Sequence, residues 1–355
     1  MIYKLALAYL YRYRSHVAHR MLAQYGSAEA AWENVERDPY VDKAKKAEAW
    51  ERALREEEFV RKHGISTCFC LDEDYPERLK HCVDRPVMLF GKGNIQHSKG
   101  KFVSVVGTRR ATERGKELTR RFVLELAQVC PDVTIVSGLA YGIDVAAHRA
   151  ALETDLPTII IPAHGLDRIY SAVHRQVAVE ALENGGILTE YMSGTEPDKM
   201  NFVARNRIVA GMADAVLVAE SQEKGGSLIT ASMAIDYNRD LFAFPGRPND
   251  MNSRGCNNLI RKQQASLINS AADLVEQMGW NEMSDTQLSF RLEENSAPEN
   301  DSALLRLLRS AEEGLHINSL VMESQMPYGD VAAELTMMEM EGKVRALPGG
   351  IYRAI

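Results

Sequence analysis

Ala204-Arg205-Asn206-Arg207 opens a helix-like run, Ala215-Val216-Leu217-Val218-Ala219 follows as an apolar strand, and Lys224-Gly225-Gly226-Ser227-Leu228-Ile229-Thr230-Ala231 comes next. A β-branched strand feeding a glycine turn that opens a helix gathers unpaired backbone N–H groups and a positive helix end in one place. Folds hold phosphate in this way. Three cations, Arg205, Arg207 and Lys224, accompany the unit. The stretch therefore predicts an α/β fold whose ligand carries phosphates.

The same device recurs upstream. Phe102-Val103-Ser104-Val105-Val106 is a short apolar strand, followed by Gly107-Thr108-Arg109-Arg110 and a helix with Thr112 at its N-cap and Glu113 in its first turn. Thr134-Ile135-Val136 leads into Ser137-Gly138-Leu139-Ala140-Tyr141-Gly142-Ile143-Asp144 and an Ala-rich helix. Thr158 to Ile161, Ile187 to Thr189 and Leu241 to Phe244 complete the series. Strands recur roughly every 24 to 32 residues, the spacing of βαβ units on a buried parallel sheet. Ligands of such sheets bind beyond the carboxyl ends of the strands, where these glycine turns would collect. No single turn is specific: neither a complete G-x-G-x-x-G nor a G-x-x-x-x-G-K-[ST] is present, so neither a dinucleotide fingerprint nor a P-loop can be assigned.

The chain has 355 residues, room for two or three domains. It is 45% hydrophobic and 26% charged, ordinary for a soluble protein. It has no run of eighteen apolar residues, and Met1-Ile2-Tyr3-Lys4 opens a Tyr/Arg-rich segment unlike a signal peptide, so a cytoplasmic location without membrane contact is expected. Cys68, Cys70, Cys82, Cys130 and Cys256 are odd in number and lack zinc spacing, which predicts buried, reduced thiols and no metal. The net charge of −7 is unevenly spread: from Ala271 onward fifteen acidic residues face six basic ones, while Gly100 to Ser270 is close to neutral. A local positive groove is compatible with that distribution.

Residues 1–63 read as a helical, SAM-like domain, its charged last helix ending at Gly64. Its Tyr9-Leu10-Tyr11-Arg12-Tyr13-Arg14 cluster suits either base stacking or, as the favoured reading, the exposed face of a surface helix. Residues 64–278 form the α/β domain, entered through a turn, a short helix and an extra edge strand around Val87-Met88-Leu89-Phe90. Residues 279–301 are a polar linker. Residues 302–355 carry three helical segments and a hairpin at Val344 to Tyr352, the pattern of a winged helix. Its third helix bears glutamates and no Lys or Arg, which favours a protein-contact module over major-groove reading.

Taken together, Val106-Gly107-Thr108-Arg109-Arg110, Ser137 to Asp144 with His148, Asn201-Phe202-Val203-Ala204-Arg205-Asn206-Arg207-Ile208, Gly225 to Ala231, Phe244-Pro245-Gly246 and Gly255-Cys256-Asn257-Asn258-Leu259-Ile260 resemble the DNA-processing protein A family (DprA, also called Smf). The motifs cover roughly Ile65 to Leu267, and a winged-helix-like tail is common in the family. The resemblance implies an extended Rossmann-like domain with a mostly parallel sheet. It also implies that the protein binds single-stranded DNA, dimerises and loads the RecA recombinase in natural transformation, without a cofactor, a catalytic residue or turnover. Where the family often has Phe-Pro, this chain has Phe202-Val203, a backbone preference that leaves the binding role in place. The glycine-containing helical hairpin that the family often carries near Tyr11 to Ser15 is missing, so the resemblance gives the N-terminal domain no DNA-binding role.

On that footing Gly107-Thr108-Arg109 would hold one phosphate and Gly225-Gly226-Ser227, beside Lys224, another. Lys199, Arg205 and Asn206 would line the adjoining wall, and Phe202 would stack on an unpaired base. Gly138 and Gly142 would let backbone approach backbone. Each role has a plainer competitor: Phe202 as core filler, Arg207 paired to Asp214, His148 as one face of a helix. Two other functions compete. A nucleotide-binding Rossmann enzyme related to lysine-decarboxylase-like phosphoribohydrolases would need a Pro-Gly-Gly-x-Gly-Thr loop, but Pro348-Gly349-Gly350 is followed by Ile351. A transcription regulator using the tail is disfavoured by the tail's negative charge.

Overall fold

A computed structural model describes residues 1–96, 100–280, 302–311, 314–347 and 350–354. Two units divide the chain, Met1–Glu282 and Met283–Ile355, and the expected linker falls almost wholly outside the described residues. The first unit opens with helices α1 (Ile2–Leu10), α2 (Ser15–Tyr25), α3 (Ala28–Glu33) and α4 (Lys43–His63). Strand β1 (Ser66–Phe69), α5 (Glu77–Lys80), β2 (Met88–Gly93) and β3 (Lys101–Gly107) follow. Alternation then begins: α6 (Glu113–Val129), β4 (Val133–Ser137), α7 (Ile143–Glu153), β5 (Thr158–Ile160), α8 (Arg175–Glu180) and β6 (Gly185–Thr189). It continues through α9 (Lys199–Gly211), β7 (Ala215–Glu220), α10 (Ser227–Asp236), β8 (Asp240–Ala243), α11 (Arg254–Arg261), β9 (Ser266–Leu267) and α12 (Ala271–Gln277).

Every residue of β4 and β7 is buried, as expected of mainly apolar strands covered on both faces. The sheet order is β1-β2-β6-β5-β4-β3-β7-β8-β9. Pairing is antiparallel for β1–β2 and β2–β6 and parallel from β6 to β9, so the expected mostly parallel, extended Rossmann-like sheet is present. Val103 and Val105 pack with Phe122, Leu126, Ala147 and Leu274 on one face. Phe102 and Val106 pack with Ile208, Val209, Ala231 and Cys256 on the other. The chain moves outward from β3 through β4, then returns to place β7 on the opposite side. The loops after β3 and β7 therefore diverge at the switch point where such sheets bind ligands.

The N-terminal helices join the second of these cores, where Leu5, Ala53 and Val60 are continuous with Phe69 and Leu89. Gly64 ends α4 at φ 59°, with Arg61, Lys62 and His63 in the last turn against the helix dipole. On α4, buried Glu56 accepts from Ser193 N at 2.9 and 3.1 Å, and Arg52 pairs with Glu56 at 2.9 Å. Residues 11–14 are not a helix face: α1 stops at Leu10, α2 starts at Ser15, and Tyr11 is wholly buried. All five cysteines are buried and free. No helix among the described residues is long and apolar enough to cross a membrane.

In the second unit, α13 (Ala303–Arg309), β10 (Leu315–His316), α14 (Ile317–Ser324), α15 (Tyr328–Met340), β11 (Val344–Leu347) and β12 (Ile351–Ala354) enclose Leu304, Leu308, Leu320, Val331 and Leu335. Strands β11 and β12 form the expected hairpin, whose tip residues 348 and 349 lie outside the described residues. Helix α15 carries Asp330, Glu334 and Glu339 and no basic residue.

Arg207 does not pair with Asp214. The Asp214 carboxylate is taken up by Arg78 at 2.6 and 2.8 Å and by Phe102 N at 2.8 Å, and Arg207 pairs instead with Glu190. Both partners are about nine-tenths buried, so removing the cation strands a carboxylate in the core. Arg207→Met is expected to lower the stability of the first unit by about 3–5 kcal/mol, read from urea unfolding.

Candidate nucleic-acid interface

The carboxyl end of β3 runs directly into Gly107-Thr108-Arg109-Arg110 because Thr108 N donates to Glu220 O, at the end of β7, at 2.8 Å. The Glu220 side chain turns back to α6, accepting from Thr112 N at 2.8 Å and Thr112 Oγ1 at 3.0 Å. Thr112 Oγ1 in turn accepts from Gly115 N at 3.0 Å, the expected N-cap bond. The positive end of α6 is thus occupied by a carboxylate of the chain itself. This corrects the expectation that the turn would offer the helix N-terminus to a phosphate.

What the turn does present is a side chain. Arg109 is exposed, and its guanidinium lies 4.7 Å from the centroid of the half-buried Phe202 ring. Tyr170, half exposed, stands 6.2 Å from the same ring, and half-exposed Tyr141 accepts from Ser171 Oγ at 3.1 Å. Lys199 and Asn206 lie on α9 three residues before and four after Phe202, on the same helical face. Lys199 is exposed and Asn206 half-buried. Lys224, exposed, and Gly225-Gly226-Ser227 form a second turn from β7 into α10, anchored by Ser227 Oγ donating to Ser221 Oγ at 2.9 Å. Among the described residues, Arg109, Arg110, Lys199 and Lys224 make no ion pair. Exposed cations, one of them over an aromatic ring, suit a single strand's phosphates and bases.

Gly142 behaves as expected: φ is 83°, and a Cβ there would lie 2.2 Å from Thr108 O, so two backbones meet. Gly138 does not. A Cβ on it would lie 2.0 Å from Arg205 Nη1 and 2.5 Å from Asp144 Oδ2, so the glycine makes room for side chains. Arg205 is accordingly buried beneath the β4 turn and does not line an open wall, and its Nε has no hydrogen-bond partner. His148 is likewise enclosed, bonded to Thr158 Oγ1 at 2.7 Å and Gly138 O at 2.6 Å. No sequence signal marks Tyr170 or Glu220 for the site, whereas Tyr141 and Asp144 lie inside the glycine motif Ser137 to Asp144. Among the described residues no cluster of His, Cys, Asp and Glu could hold a metal ion.

Burial raises the Asp144 carboxyl to about 6, against the pull of Arg205, and lowers the His148 imidazole to about 4. The two act oppositely on stability. Asp144, raised in the fold, costs stability as pH rises from 3.8 to about 6. His148, depressed in the fold, costs stability as pH falls from 6.5 to about 4. Asp144→Asn removes only the first, so its stability should rise more steeply with pH across that window than the wild type's, as followed by thermal melts.

The family model described as DNA recombination-mediator protein A matches residues 66–279, and that described as the DprA winged helix domain matches residues 292–350. Protein Smf of Synechocystis sp. is 35% identical over 314 residues, 79% of this chain and 78% of its own length. DNA processing protein DprA of Streptococcus pneumoniae is 40% identical over 205 residues, 58% of this chain and 71% of that protein. The X-ray structure of DprA from Streptococcus pneumoniae superposes with a TM-score of 0.67 at 33% identity, covering 78% of this chain and 96% of that one. A structure of DNA processing protein A from Helicobacter pylori, described for its single-stranded DNA binding mode, gives 0.55 at 33% identity, covering 61% and 96%. With one family domain over the α/β unit and the other over the winged helix, the chain belongs to the DprA/Smf family of DNA processing proteins.

Proposed function

We propose that this protein binds single-stranded DNA, indifferent to sequence, along the carboxyl edge of its sheet and loads a RecA-type recombinase onto the strand during DNA uptake and recombination. It would act as a cytoplasmic homodimer and by binding, not by turnover. The observation that carries the reading is the exposed Arg109 guanidinium over the Phe202 ring, a pairing that offers charge to a phosphate and a π-face to any base. Lys199 and Lys224 extend the positive surface on the neighbouring helix and turn. The Helicobacter pylori relative is described as a single-stranded DNA binder, and the matching family as a recombination mediator, which supports both halves of the proposal.

Arg109→Ala should weaken binding to poly-dT and to mixed-sequence strands alike and lower the slope of log affinity against log salt by about 0.7, the share of one phosphate on a single strand. Salt titrations monitored by fluorescence anisotropy read both. Phe202→Leu retains apolar volume and removes the π-face, so affinity should fall by about 1–3 kcal/mol with little change in melting temperature. A core role would give the reverse pattern. A chain ending after Glu282 should retain most strand affinity, since the acidic second unit repels phosphate.

A further inference from the structure

Helices α1 and α4, the loop after β6 and the start of α9 enclose a cleft of about 360 Å³, lined by Tyr9, Arg12, Tyr13, Arg52, Tyr191 and Asn201 among others. Its charged residues divide sharply. Arg52 is committed to Glu56 and Ser193, Glu190 to Arg207, and Glu196 to Arg168 at 3.3 Å. Arg12 has no carboxylate partner among the described residues. Its guanidinium instead lies over two rings, 4.5 Å from the Tyr9 centroid and 5.1 Å from the Tyr13 centroid. Tyr9 is itself fixed, its hydroxyl donating to Glu48 at 2.8 Å. A guanidinium stacked on aromatic faces leaves its N–H edges free for an anion. Tyr13 is 67% exposed, so it has open surface for a further stacked group.

The cleft adjoins the interface already described. Asn201, whose carbonyl accepts from Tyr191 Oη at 3.0 Å, lines the cleft, and Phe202, the next residue of α9, lies under Arg109. A strand that stacks on Phe202 and continues past the start of α9, where buried Asn201 forms part of the cleft wall, would next reach the Arg12–Tyr13 pair. We infer that the turn between α1 and α2 is a second subsite for the same single strand: Arg12 takes a phosphate and Tyr13 a base, so the N-terminal helices lengthen the binding track. This rests on the proposed single-strand binding at Arg109. It assigns a role to the Tyr/Arg cluster that the family resemblance left without one.

The test compares oligo-dT of roughly 6 and roughly 20 nucleotides, spanning the usual range of single-strand site sizes, by fluorescence anisotropy on the full chain. Arg12→Ala and Tyr13→Leu should each weaken the longer strand by at least about fivefold, the lower end of one stacked base, and leave the shorter unchanged. Tyr13→Phe, which retains the ring, should bind both like the wild type. Arg109→Ala should weaken both lengths. Arg12 and Tyr13 are exposed residues of a turn, and melting curves would establish that each variant is folded. Wild-type binding of the long strand by Arg12→Ala and Tyr13→Leu, with loss in Arg109→Ala, overturns the second subsite and leaves the first standing. Equal losses on short and long strands also overturn it, because the turn would then belong to the first site. Wild-type affinity in Arg109→Ala as well would remove both.

Discussion

The Glu220 carboxylate at the start of α6 is the contact on which the interface depends. It lies at the end of β7, its main-chain carbonyl holds Thr108 N, and its side chain holds both donors of Thr112. One residue thereby joins the two strands on either side of the switch point and fixes both ends of the turn that carries Arg109. Hydrogen bonds to a buried charge are worth about 1.5–3 kcal/mol each, and the opposing helix dipole adds to them. The same contact decides the character of the site. With this helix end neutralised internally, what the turn presents outward is the exposed Arg109 side chain.

Beneath that surface the chain buries several ionisable groups. Arg205, Asp144 and His148 lie under the β4 turn, and Arg207 and Glu190 form an enclosed ion pair. Buried polar groups of this kind are costly unless paired. Gly138 is the space that the Arg205 guanidinium fills. Arg205 and Arg207, separated by Asn206, are therefore structural supports of α9, and Phe202, Lys199 and Asn206 lie on a more exposed face of the same helix.

The N-terminal helices are part of this architecture. Their core is continuous with the sheet's antiparallel edge, and Arg52 and Glu56 grip Ser193 in the loop leading to α9. The overall charge of −7 conceals the division of labour, because the acidity is concentrated after Ala271 and the α/β segment is balanced. Charge distribution, not its sum, permits an anionic partner here.

Signals within the sequence account for the α/β alternation, the positions of β3 to β8 within one or two residues, the Thr112 and Gly64 caps and the glycine turns at Gly107, Gly138 and Gly142, whereas the two-residue β9 carries no such signal. Each of these is local: it follows from periodicity, a capping residue or a turn glycine within a few positions. Which cations are available is set by long-range contacts. Thr112 and Glu220 are 108 residues apart, Arg78 and Asp214 are 136 apart, and no local pattern marks either pair. Arg205 and Arg109 are equally basic in the sequence, yet one is buried against Asp144 and the other stands open over Phe202. That difference is set by which helix face meets the sheet and which carboxylates the fold brings to it, and both are properties of long-range packing.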